Sequence, residues 1–201
     1  MVPPSPVDSS IVRESILAHG QRIMAGKGFS AVGLNEILAA SGVPKGSFYH
    51  YFGSKDAFGE ALLESYFADY LAELDATLDA PGLTMAQRLM NYWRNWQDTQ
   101  SFSDCQGRCL AVKLGAEVAD LSESMRLALK CGTTGITDRL ARAIGAGTAE
   151  GSLSVDGTPD AAAHSLYQLW LGASLMAKIE RTTRPFETAL ATTRRILHLP
   201  L

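Results

Sequence analysis

Apolar positions recur at helical spacing along almost the whole chain, and no stretch keeps the alternation of a strand. Val12, Ile16 and Ile23 mark one face of a first helix over residues 9–27, with Ser9 or Ser10 placed to cap it and Gly26 and Gly28 to end it. Leu34, Ile37 and Leu38 give core spacing to a short helix over 34–41. Phe48 and Phe52, four apart, do the same for 45–52, and Lys45, Ser47, Tyr49, His50 and Tyr51 fall where most stay exposed. Ser54 caps a long helix from Lys55 to about Ala80, carried by Leu63, Phe67, Tyr70, Leu74 and Leu78 and stopped by Pro81 and Gly82. Thr84 opens a helix over about 85–102 with Met90, Trp93 and Trp96. A polar break at 101–107 follows, then a helix through Cys109, Leu110, Lys113, Leu114 and Val118. Another begins near Asp120 and runs to about Ile144, with Gly132 and Gly135 expected to interrupt it. Residues 145–160 read as a loop. Two last helices, about 161–181 and 186–197, are separated by Arg184 and Pro185. The expectation is an all-α chain. A disordered arm (1–8) leads to a three-helix head (9–55) and a larger helical body (56–201).

The segment from Leu34 to Phe58 carries the most information. A helix, a turn opened by Gly42, and a tiny helix with an aromatic back and a polar, aromatic front form a helix-turn-helix. Pro44 suits the first turn of the second helix, where its missing N–H costs nothing. Such a helix is a poor enzyme part and a good probe of the DNA major groove. The set Gly28–Phe29, Leu34 to Leu38, Gly42–Val43, Lys45–Gly46, Phe48–Tyr49, Tyr51–Phe52 and Ser54–Lys55 resembles the TetR family of transcriptional repressors over roughly residues 9–58.

That resemblance implies DNA contacts from Lys45, Gly46, Ser47, Tyr49, His50, Tyr51 and Lys55, with Asn35 adding one from the supporting helix. Lys45 and Ser47 start the recognition helix, and Gly46 lets the backbone approach closely. Tyr49 matches a phosphate-binding tyrosine, and His50 sits at a variable position that often contacts bases. Lys55 joins a cation to the N–H groups at a helix start, which suits a phosphate. Tyr51 stands where the family has histidine.

Charge adds a little. The net charge of −3 does not advertise DNA binding, but residues 1–55 hold five Lys and Arg against three acids, while the remainder is acidic. At 46 % hydrophobic and 19 % charged, the chain has material for a sizeable core. No apolar run reaches the length of a bilayer span and no signal peptide is visible, so a cytoplasmic location without membrane attachment is expected. The four histidines form no metal motif, and no phosphate loop, nucleophile elbow or paired acidic motif is present. No cofactor and no metal are expected, and the chain reads as a non-enzyme.

Three cysteines, Cys105, Cys109 and Cys131, are too few for a disulfide scaffold and show no zinc spacing. Cys109 lies near a predicted helix start, beside Arg108 and one turn before Lys113. Positive charge and the helix dipole both favour its thiolate. A thiolate adds to activated alkenes or is oxidised to sulfenic acid. Cys105 is a candidate resolving thiol, although a disulfide within one helix is strained. The segments Gly107 to Arg126 and Leu169 to Ile179 look like the NemR/AcuR-like branch of the family. This second resemblance implies sensing of reactive electrophiles and small unsaturated carbonyl compounds through Cys109, with Lys178 as the matching lysine. Trp93, Trp96, Leu110, Tyr167, Trp170 and Met176, with Tyr92, are candidates to line a small apolar pocket.

The last two helices offer a dimer seam. Leu166, Leu169, Trp170, Ala173, Met176 and Ala177 form a stripe, joined by Ala189, Ile196 and Leu197, and family members usually pair this way. Two short helices on a dimer read a palindromic operator. The reading is a repressor released from its operator by a small-molecule or electrophile inducer. The rival classes are a cysteine-dependent enzyme and a helical interaction module without DNA binding. Neither accounts for the short recognition helix, and no His–acid pair serves Cys109 as a nucleophile.

Overall fold

The computed structural model describes residues 6–105 and 109–200; among them are nine helices and no strand. The helices are α1 (Pro6–Lys27), α2 (Leu34–Ser41), α3 (Lys45–Phe52), α4 (Lys55–Leu78) and α5 (Met85–Cys105). Then come α6 (Leu110–Leu121), α7 (Glu123–Ala149), α8 (Pro159–Glu180) and α9 (Arg184–Ile196). The chain divides into two compact units, one of residues 1–68 and 113–132, the other of 69–112 and 133–201. The boundaries fall inside α4 and α7 and near the start of α6. The head expected at 9–55 therefore gains the first part of α4 and a segment from the middle of the chain.

In the first unit, Ile16, Met24, Val32, Ile37, Phe48, Phe58 and Leu62 are buried and join α1, α2, α3 and α4 into one core. Phe48, Phe52 and Phe58 pack as an aromatic triangle with centroids 5.0–5.3 Å apart. Gly42 ends α2 in the left-handed region at φ 68° and donates its N–H to the Leu38 carbonyl, which turns the chain into α3. Helix α1 begins at Pro6, so residues 6–8 belong to a helix rather than to the expected arm.

In the second unit, α8 packs against α5 and α9. The Trp93 and Trp170 rings stack at 5.0 Å, and Trp170 continues onto Phe186 at 6.1 Å. Two indoles are tied down, Trp170 donating to Thr193 Oγ1 and Trp96 to Ser174 Oγ, each at 2.9 Å. Arg139 grips Asp75 through two nitrogens at 2.6 and 2.9 Å, and this hydrogen-bonded guanidinium holds the Asp75 carboxyl below its ordinary pKa.

Several expected boundaries move. Helix α5 runs on through the supposed polar break as far as Cys105. Gly132 and Gly135 do not interrupt α7. A side chain at Gly132 would stand 2.1–2.4 Å from the Phe67 ring, and one at Gly135 would meet Leu71 at 3.0 Å. These glycines admit close neighbours, which outweighs their helix penalty of about 1 kcal/mol. Residues 145–149 complete α7, and Pro185 starts α9 instead of separating helices.

Candidate DNA-binding and sensing sites

Helix α3 buries two aromatic side chains and leaves the others wholly or partly in solvent. Phe48 is fully buried and Phe52 nearly so. Asn35, Lys45, Gly46, Tyr49 and His50 are exposed, while Ser47 and Tyr51 are half-buried. Tyr49 leaves 45 % of its surface in solvent, unusual for an aromatic without a partner to contact. The Lys45 ammonium lies 5.9 Å from its ring centroid, and His50 meets Tyr51 edge-on at 5.2 Å. The face thus presents a cation, two phenols and an imidazole on a rigid base.

Lys55 is differently placed. Its ammonium donates to the Phe29 carbonyl at 2.8 Å and sits 4.4 Å from the Phe29 ring centroid. It pins the α1–α2 turn, so any phosphate contact uses its remaining donors. Glu117 of α6 braces the same turn, accepting from Phe29 N–H at 3.1 Å and Ser30 N–H at 2.7 Å. Burial opposes the Glu117 charge. The hydrogen bonds from Ser30 and Phe29 and the charge of Lys55 outweigh it, and its pKa is lowered.

Cys109 stands immediately before α6 and is buried. It lines a cavity of about 70 Å³ within the second unit. Tyr70, Leu74, Tyr92 and Trp96 form the aromatic and apolar wall, and Asn95, Thr99 and Gln100 bring polar groups to it. The Tyr70 and Tyr92 hydroxyls are hydrogen-bonded to each other at 2.8 Å. Burial pushes the Tyr92 phenol well up, so it stays protonated and able to donate. Burial does the same to Tyr167.

Of the expected pocket residues, Trp96 lines this cavity, as does Tyr92. Trp93, Trp170 and Leu110 are fully buried core. Tyr167 packs edge-on against Trp96 at 5.8 Å and borders a separate cavity with Thr133 and Thr137. Met176 lies on another surface altogether. Lys178 is half-buried in the last turn of α8 and does not line the Cys109 cavity. Arg108 lies outside the described residues, and Cys105 closes α5. The sequence reading missed Gln100 and Asn95, since isolated polar residues on a helix carry no signal. Tyr70 was legible only as part of the α4 apolar stripe.

The seam stripe divides. Leu166, Trp170, Ala177, Ala189 and Leu197 are spent inside the protomer; Ala173 is buried and also lines the α8–α9 groove. Leu169, Gly172 and Met176 of α8, with Pro185 and Thr188 of α9, line an open surface groove instead. Leu175, Met176 and Ile179 expose 43–64 % of their surface beside it.

Residues 16–62 match the model for bacterial regulatory proteins of the tetR family, and residues 85–193 match the tetracyclin repressor-like C-terminal domain. The chain is 42 % identical over 188 residues to the HTH-type transcriptional repressor NemR of Escherichia coli K12, covering 94 % of both chains. It is 35 % identical over 181 residues to the transcriptional regulator AcuR of Cereibacter sphaeroides, covering 90 % of this chain and 83 % of the relative. The crystal structure of E. coli NemR in its reduced form superposes with a TM-score of 0.89, over 94 % of this chain and 98 % of that one.

Proposed function

Since the chain belongs to the TetR family of bacterial transcriptional regulators, we propose that it is a homodimeric cytoplasmic repressor. It holds a palindromic operator and releases it when a small reactive electrophile modifies Cys109. Helix α3 enters the major groove. Lys45, Gly46, Ser47, Tyr49 and Tyr51 meet phosphates and backbone, His50 reads base edges, and Asn35 and Lys55 add contacts from α2 and the start of α4. The observation that carries this reading is the build of α3: an aromatic back locked in the core, a left-handed glycine before it, and an exposed polar, aromatic front.

The sensing half rests on Cys109, a buried thiol bordering a cavity at the start of a helix. The name of the similar NemR structure distinguishes a reduced form, which supports thiol chemistry in this part of the family. Lys178 acts with Cys109 in the response. The groove between α8 and α9 seats the second protomer; Met176 in the groove and the exposed Leu175 and Ile179 of the same helix supply the apolar surface such a seam needs. Modification in the body changes the separation of the two heads, and an operator that fits one separation is lost. No helix among the described residues is long and apolar enough to cross a membrane.

The test is a titration of the protein with the DNA upstream of its own gene over a range of salt. The expected result is tight, saturable binding whose log K falls linearly with log salt as phosphate counterions are released. Binding to no fragment, or binding indifferent to salt, rejects the repressor.

A further inference from the structure

Three cations of the head rest on aromatic rings. The Lys45 ammonium lies 5.9 Å from the Tyr49 ring centroid, the Lys55 ammonium 4.4 Å from that of Phe29, and the Arg13 guanidinium 5.4 Å from that of Phe52. The first two serve the recognition surface described above; the third comes from α1. Arg13 is half-buried, and among the described residues it has neither a hydrogen bond nor an ion pair. Lys27 of the same helix differs, since its charge is engaged by Glu36. A carboxylate neutralises a cation, whereas a ring holds one in place, keeps its charge, and leaves the N–H edges of a planar guanidinium free. The seat under Arg13 is fixed. Phe52 is 7 % exposed and closes the aromatic triangle with Phe48 and Phe58. Phe52 is also the last residue of α3, with its ring centroid 6.2 Å from that of Tyr51. Arg13 therefore stands beside the last turn of the recognition helix as an oriented charge with its donors free.

We infer that Arg13 binds a DNA backbone phosphate and extends the DNA-contacting surface from α3 onto α1. This rests on the repressor reading above and adds a contact from outside the helix-turn-helix. The ligand is a phosphodiester flanking the bases that α3 reads. The guanidinium offers parallel N–H groups to the two non-bridging oxygens while its face stays on Phe52. Stacking orients the side chain before DNA arrives, so less rotamer freedom is lost on binding. A backbone contact adds affinity and fixes the register of α3 without preferring a base.

The experiment measures operator affinity of the full-length protein by fluorescence anisotropy from about 50 to about 200 mM salt. The variants are Arg13→Gln, Arg13→Lys and Arg22→Gln, with scanning fluorimetry on each. Arg22 is exposed on the same helix and among the described residues has no ring beneath it, so its variant removes an equal charge without the proposed contact. Arg13→Gln is expected to weaken binding about tenfold, in similar proportion across operator sequences. Its log K against log salt becomes shallower by about 0.9 for each head, about 1.8 for a dimer. Arg13→Lys keeps the wild-type slope and loses part of the affinity, because the charge stays and the planar fork goes. Arg22→Gln keeps the wild-type slope. An unchanged slope in Arg13→Gln, whether or not affinity falls, overturns the inference, as does an equal drop in Arg22→Gln or in Arg13→Lys. Loss of the fold in Arg13→Gln would assign the residue to the core instead and overturn it too. Failure of the wild-type protein to bind DNA rejects the repressor reading along with it.

Discussion

Glu117 offers the most quantitative test of how the head is held. Replacing it by Gln removes a charge that accepts two backbone N–H groups, from Phe29 and Ser30 at 3.1 and 2.7 Å. The amide keeps one acceptor oxygen but turns its NH₂ toward a donor. Hydrogen bonds to a charged group are worth about 1.5–3 kcal/mol each when buried. Glu117 is half-exposed, and water replaces part of what is lost, so the expected cost is about 1–2 kcal/mol. For a chain of this size that lowers Tm by roughly 2–8 °C. The pH dependence has a definite sign. The folded pKa of Glu117 lies below the unfolded value, about 4.3 for a free glutamate. Its contribution is complete above the unfolded value and is lost as pH falls through the folded one. The gap between wild type and Glu117→Gln is therefore full at neutral pH and closes in acid. Differential scanning fluorimetry at fixed protein concentration, from pH 7 to pH 3.5, reads it. No gap at pH 7, or a gap that widens in acid, refutes the reasoning.

On the recognition face, Tyr49→Phe should weaken operator binding about equally across operator sequences, through a lost phosphate contact, whereas His50→Ala should change sequence preference; fluorescence anisotropy on a panel of operators separates them. In the α8–α9 groove, Met176→Arg should leave the fold intact, since the side chain is already exposed, and yield monomers by light scattering that no longer bind a palindrome. Within α7, Gly132→Ala sets a methyl against the Phe67 ring and should cost about 1–3 kcal/mol despite the better helix propensity of alanine, measured by urea denaturation.

The helix-turn-helix was legible to the residue, because its signals are local: Gly42 turns the chain, Pro44 precedes the first turn of α3, and Phe48 and Phe52 mark its inner face. Where the deciding interaction is distant, local signals mislead. Gly132 reads as a helix breaker until Phe67 is known to need the space. Glu117 reads as one more surface acid, because its partners lie 87 and 88 residues upstream. Apolar spacing in α8 identified buried positions but not what buries them. Leu166 and Trp170 go to the protomer's own core, and Leu169 and Met176 face the groove. At the cavity, Cys109 was visible from its chemistry and Trp96 from its size. Gln100 was silent, since a polar residue on a helix is ordinary until its burial is seen.

The central claim is that a DNA-binding dimer is switched at one thiol. It is tested most directly by adding acrolein to preformed complexes of operator with wild type and with Cys109→Ser, following anisotropy and intact mass on the same samples. The account predicts that wild type leaves the DNA in step with a single addition at Cys109, and that Cys109→Ser binds with wild-type affinity and stays bound at the same dose. Release of Cys109→Ser as readily as wild type would contradict it.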